Sequence, residues 1–174
     1  GSCYAGFLCE LIFSADRSYM AEGEFEELDN KEASIVLSNS NFGRFLMSND
    51  MSRLDTRFIG LPNQLLLTKQ NQGKYILAKE AHELGLVTFI FDDIDWDDEI
   101  RLFLEERSSF SPDSMVGMEA NLRFPGKETM ETKIFGRLTA WQNWIFQRPS
   151  AVGEEGALKK YGTGNKGMYT KERT

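Results

Sequence analysis

The sequence is poor in the residues that bind metals or crosslink a chain, with one His and two Cys among 174 residues. Two thiols, Cys3 and Cys9, are too few for a disulfide framework, and they are expected to behave as small apolar residues without a neighbouring His. The single imidazole, His82, lies in a helical pattern and has no cluster of other metal-binding residues around it in sequence. The composition therefore predicts no metal site.

Long apolar runs are also missing. The longest, residues 87–91, is interrupted by Thr88 and is far shorter than the roughly 20 residues of a membrane helix. No charged segment followed by an apolar one opens the chain, so secretion is not indicated. We expect a cytoplasmic protein without a membrane partner. The chain also starts without Met and passes directly into an apolar pattern, so we expect it to be part of a longer protein.

Positive charge is in deficit, since 20 Lys and Arg face 27 Asp and Glu for a net charge of -7. Repulsion from phosphates disfavours nucleic acid as a partner. Much of the acidity lies in residues 92–106, whereas residues 159–173 contain five cations. The simpler interpretation of these charge runs is solvated surface, and the alternative is a contribution to holding a polyphosphate such as that of coenzyme A.

Short helices and short strands alternate in the first half of the chain. Apolar periodicity predicts strands at 18–20, 33–37 and 87–91, and helices at 6–15, at 51–59 after a capping Asn49, from Pro62 onward, and at 75–84 before Gly85. Such alternation is typical of an α/β layered fold. Residues 22–30 and 39–49 have the composition of loops.

Beyond residue 95 the pattern indicates helices only, at 97–106, at 111–124 with Ser111 as its cap, and at 128–147 before Pro149. The last of these carries an apolar stripe of Met130, Ile134, Leu138, Trp141 and Ile145, flanked by Phe135 and Trp144. Aromatic residues at helical spacing are usually packing anchors. We predict a partial α/β core over residues 1–92 and a C-terminal helical region of the same domain over residues 93–174.

The stretch most suggestive of chemistry is GSCYAGFLCELIFSAD, residues 1–16. A glycine ahead of a helix lets a ligand approach the free N–H groups of the first turn, which favour negative charge and can stabilise an oxyanion. Glu10 follows one turn later, where it is a candidate acid or base. A helical Glu is more often solvent-facing, so this motif alone leaves both interpretations of Glu10 open.

This stretch resembles the signature of the crotonase, or enoyl-CoA hydratase/isomerase, superfamily, in which glycines precede a Cys-Glu-Leu-like triplet. The resemblance implies a partial crotonase-like ββα-spiral fold. It also implies that Gly6 and Phe7 lie where the family places its helix-side oxyanion amide and that Glu10 occupies the position of the first catalytic carboxylate. Residues 78–87, AKEAHELGLV, are similar to a structural helix-turn-strand segment of the family.

A closer resemblance is to one lyase branch of the superfamily. It is carried by residues 15–20, 41–43, 52–58, 135–149, 151–158 and 161–164. The resemblance implies an enzyme that hydrates an epoxidised benzoyl coenzyme A thioester and cleaves a carbon–carbon bond with release of formate. Coenzyme A is then part of the substrate, and no separate cofactor is expected. The implied partners are the acyl-CoA substrate, the missing N-terminal part of the same enzyme, and further copies in a homo-oligomer.

Departures from the family pattern predict that the chain alone is inactive. Residues 33–40 contain no second Glu, bulky side chains follow Gly6, and the other oxyanion N–H belongs to a strand that this chain lacks. Three interpretations remain open: the second crotonase-like part of a lyase, a non-catalytic assembly module, or a fragment of an enoyl-CoA hydratase or isomerase. The missing carboxylate disfavours the third.

Overall fold

A computed structural model describes residues 2–24, 31–123, 126 and 128–169. The chain divides into two compact units, residues 1–102 and residues 103–174, with the boundary inside a helix. Sequence-based predictions that involve residues 1, 25–30 and 124 and the basic residues Lys171 and Arg173 lie outside the described part.

The first unit contains two small parallel sheets. Strand β1 (Cys3–Ala5) pairs with β3 (Ser34–Val36), and β2 (Tyr19–Ala21) pairs with β4 (Phe89–Phe91). On its other side β3 forms an antiparallel bridge from Ile35 to Ile76. The predicted strands at 18–20, 33–37 and 87–91 are confirmed within one or two residues. Strand β1 was not predicted, because it is defined by its pairing with β3 and not by a pattern in its own sequence.

Helices cover these strands and close one apolar core. They are a 3₁₀ turn at Gly6–Leu8, α1 (Cys9–Phe13), a second 3₁₀ turn at Asn39–Phe42, α2 (Arg53–Arg57), α3 (Pro62–Gln70) and α4 (Ala78–Glu83). The fully buried apolar side chains at the centre of this core are Cys9, Ile35, Leu37, Leu54, Ile76, Ala81 and Leu86. The core thus joins every sheet and helix segment that the sequence pattern assigned to the α/β half.

Two predicted helix starts are wrong. Helix α2 is capped by Ser52, whose hydroxyl accepts from the backbone N–H of Asp55 at 3.0 Å while the Asp55 carboxylate accepts from the Ser52 N–H at 3.2 Å. Asn49 does not cap it. Helix α4 begins at Ala78 and not at Tyr75, because the backbone of Ile76 bonds to Ile35 at 2.9 Å in both directions. Tertiary pairing overrides helical periodicity there.

Gly85 ends the helical segment as predicted. Its φ of +73° is readily adopted by glycine, and an added Cβ would lie 3.2 Å from the Phe58 ring. The chain then passes through buried Leu86 and Val87 into β4. His82 is exposed on α4.

Helix α5 (Trp96–Ser108) begins in the first unit and ends in the second, which continues with helices only. These are α6 (Pro112–Arg123), α7 (Met130–Thr132), a π-helical segment at Lys133–Leu138, α8 (Thr139–Ile145), α9 (Pro149–Val152) and α10 (Ala157–Lys160). The predicted helix at 128–147 is confirmed in extent. Its π-helical turn was not predicted, because one inserted residue barely alters the apolar spacing.

The second unit contains a polar cluster centred on the buried Asp113. Asp113 is buried and accepts hydrogen bonds from the Ser150 hydroxyl and from Arg148 Nε, the latter at 3.3 Å. The guanidinium of Arg148 lies 5.2 Å from the centre of the Trp144 ring, which meets Trp141 edge to face at 5.3 Å. In contrast, Met130 is 71% exposed and Phe135 is 75% exposed. The apolar stripe of this region is therefore largely uncovered.

Among the described residues, no helix combines the length and the apolar character required to cross a bilayer.

Candidate functional site

The site begins where β1 turns into α1. Ala5 ends the strand with extended backbone, and Gly6 enters the 3₁₀ turn with a φ of +52°, in the left-handed region. A Cβ on Gly6 would lie 3.3 Å from the Ser38 hydroxyl. Both the backbone conformation and the space around it therefore favour glycine at this position.

Glu10 lies on the buried side of α1 and is only 6% exposed. The Asn41 amide nitrogen donates to its Oε1 at 2.6 Å, and the Arg53 guanidinium forms an ion pair with its Oε2 at 3.1 Å. A buried carboxylate is costly unless it is paired and hydrogen-bonded, and here each oxygen has a partner. Of the two interpretations of Glu10 left open by the sequence, the solvent-facing one is wrong.

Asn41 connects Glu10 to the glycine turn. Its Nδ2 also donates to the Gly6 carbonyl oxygen at 2.9 Å, and its Oδ1 accepts from the Ser38 N–H at 2.9 Å within a capping box. Asn41 itself is 1% exposed. One amide side chain thus fixes the carboxylate, the backbone before α1 and the start of the 3₁₀ turn after β3.

Arg53 reaches Glu10 from α2 and is the more exposed partner of the ion pair. Its guanidinium also lies 3.4 Å from the Phe45 carbonyl oxygen. Because the Ser52–Asp55 capping box fixes the start of α2, it also fixes where Arg53 emerges. The Glu10 carboxylate is consequently held by one amide and one cation.

The Phe7 side chain lies outside the cluster of Glu10, Asn41 and Arg53. It is exposed and meets the Phe45 ring edge to face at 5.3 Å. Among the three predicted site residues, Asn41 therefore brings Gly6 and Glu10 together. The oxyanion role of Gly6 and Phe7 concerns their backbone amides and stays a prediction. In the stretch where the family pattern predicts a second carboxylate, the structure has the Ser38 and Ser40 hydroxyls, 2.5 Å apart.

The sequence did not identify Asn41 and Arg53 as the partners of Glu10, although a helix-start pattern lies at each of them. Asn41 and Ser52 each stand in a short polar pattern, Ser38-x-x-Asn41 and Ser52-x-x-Asp55, that is typical of a helix start. Such patterns locate helix ends. They do not indicate which distant side chain the Asn or the following Arg contacts.

Cys9 is buried beside the site. Its thiol lies 3.2 Å from the Tyr4 carbonyl oxygen and 3.5 Å from the Val36 carbonyl oxygen, to which it donates. Burial raises the pKa of the Cys9 thiol to about 11, and the Glu10 carboxylate adds to the rise. A thiol that stays protonated at neutral pH is a poor nucleophile, so Cys9 is a packing residue.

A cleft of about 780 Å³ lies elsewhere in the first unit, beside β1 and β2. Tyr4, Ile12 and Tyr19 give it apolar walls, and its charged lining residues are Arg17, Lys31, Asp93 and Asp97. Glu10 and Gly6 do not line it. Across the described residues, no group of three or more His, Cys, Asp and Glu side chains is placed to hold a metal ion.

Comparisons with known proteins give the same fold. The chain is 53% identical over 171 residues to a benzoyl-CoA-dihydrodiol lyase from Aromatoleum evansii, and the match covers 97% of this chain and 30% of that protein. No family model matches the chain.

Among solved structures, an enoyl-CoA hydratase from Geobacillus kaustophilus superimposes with a TM-score of 0.65 at 17% identity, covering 97% of this chain and 58% of the other. One from Mycobacterium marinum has a TM-score of 0.63 at 14% identity, covering 97% and 63%. The predicted partial crotonase-like fold is therefore confirmed, and the chain spans about 30% of the length of its curated relative.

We predict that Glu10→Gln lowers the free energy of unfolding by roughly 1–3 kcal/mol, because Arg53 loses its counter-charge and an amide N–H₂ replaces one of two acceptors. Urea unfolding monitored by circular dichroism measures this. The matched control is Glu83→Gln, an exposed residue of α4, which should stay within about 0.5 kcal/mol of the unaltered chain. Equal unfolding midpoints for the two variants would contradict the structural role of Glu10.

A second prediction concerns alkaline pH. The pKa of the Cys9 thiol is raised from 9.0 to about 11 in the folded chain, so the unfolded chain loses this proton first. The contribution of Cys9 is therefore fully present below pH 9 and is lost as pH rises toward 11, by on the order of 2 kcal/mol. Urea unfolding at pH 8.5 and 10.5 should show a steeper loss for the unaltered chain than for Cys9→Ala. Parallel pH profiles would show that the thiol is not shielded.

Proposed function

Because this chain has part of the crotonase fold and is similar along nearly its whole length to part of a benzoyl-CoA-dihydrodiol lyase, we propose that it is a crotonase-like part of such a lyase. The observation that carries the proposal is the identity of 53% over 97% of the chain. In this proposal the full enzyme hydrates an epoxidised benzoyl-CoA and breaks a carbon–carbon bond of the ring, releasing formate and an open-chain semialdehyde thioester.

The role proposed for this chain within the enzyme is supportive. Both oxygens of Glu10 are bound by Asn41 and Arg53, and the stretch where a second carboxylate would be needed offers only Ser38, Asn39 and Ser40. General acid–base chemistry needs a group that can reach the proton it transfers. The reacting carboxylates accordingly come from the remaining part of the enzyme, and coenzyme A enters as part of the substrate, without a separate cofactor.

The partners proposed are the remaining part of the same enzyme and further copies of it. The second unit leaves large apolar side chains exposed along α7, the π-helical segment and α8, among them Met130, Ile134, Phe135, Leu138 and Phe146. Exposed apolar patches of this kind are typical of interaction surfaces. A contribution of this surface to oligomer contacts is part of the proposal.

A second candidate function is a non-catalytic assembly module of an acyl-CoA enzyme. The observation that favours it is the same closed Glu10 cluster, since a carboxylate held by a cation and an amide serves folding alone. The two functions differ in what the longer polypeptide does: a lyase cleaves the ring of an epoxidised benzoyl-CoA, and an assembly module does not require that activity.

We predict no turnover of epoxidised benzoyl-CoA or crotonyl-CoA by the 174-residue chain above a blank, and ring cleavage with formate release by the longer polypeptide. In the longer polypeptide, Glu10→Gln should leave kcat within about twofold while lowering the unfolding midpoint, because its partners are structural. Formate assay and thermal unfolding of the same samples measure both. Turnover by the chain alone that is lost in Glu10→Ala would overturn the supportive role.

We also predict that the 174-residue chain self-associates through the apolar stripe. Phe135→Glu should shift sedimentation toward the monomer, because a charge replaces an apolar contact at a side chain that is 75% exposed. Tyr161→Glu is the matched control in the same unit, since Tyr161 is 87% exposed and outside the stripe. A monodisperse monomer at high concentration, with blue-shifted emission from Trp141 and Trp144, would refute this prediction.

A further inference from the structure

We draw no further inference here: the strongest candidate, the buried side-chain cluster of Asp113, Arg148 and Ser150 that joins the start of α6 to the start of α9, has both carboxylate oxygens bound within the chain, and nothing in the described residues shows a ligand or partner that it would serve.

Discussion

The carboxylate of Glu10 lies where water cannot solvate it, and three separate segments have to meet to satisfy its oxygens. Helix α1 supplies the carboxylate, the 3₁₀ turn after β3 supplies Asn41, and the start of α2 supplies Arg53. Losing Arg53 leaves an uncompensated charge in the interior, and losing Asn41 leaves a buried acceptor without its donor. The positions of α1, β3 and α2 in the first unit depend on this polar centre as much as on the apolar core around Ile35 and Leu54.

The burial and pairing of Glu10 also limit what its resemblance to a catalytic signature implies. Glu10 stands in a stretch that resembles a catalytic signature, and the chain shares its fold with enoyl-CoA hydratases, yet its carboxylate is fully engaged. Gly6 keeps the backbone conformation that the turn requires, while the Asn41 amide binds the Gly6 carbonyl from inside. In this chain the stretch therefore serves packing and polar pairing, which is the physical basis of the supportive role proposed for it.

Each unit has an open surface among its described residues, and the type of surface follows from the secondary structure of that unit. In the first unit it is a strand edge, because among the described strands β1 pairs with β3 alone. In the second it is a helical stripe, in which Met130 and Phe135 are exposed. Backbone edges pair with extended segments, whereas apolar stripes pack against other apolar surfaces.

The sequence by itself determined the elements whose signals are local. Periodicity located α3, β3, β4 and the long C-terminal helix, Gly85 marked a helix end, and the GFLCEL stretch indicated the fold. It did not determine β1, the true start of α4 or the π-helical turn, since these depend on pairing or on a single inserted residue. Only the tertiary structure decided that Glu10 is buried against Asn41 and Arg53. These partners follow Glu10 by 31 and 43 positions, so they leave no periodic pattern in the sequence around it.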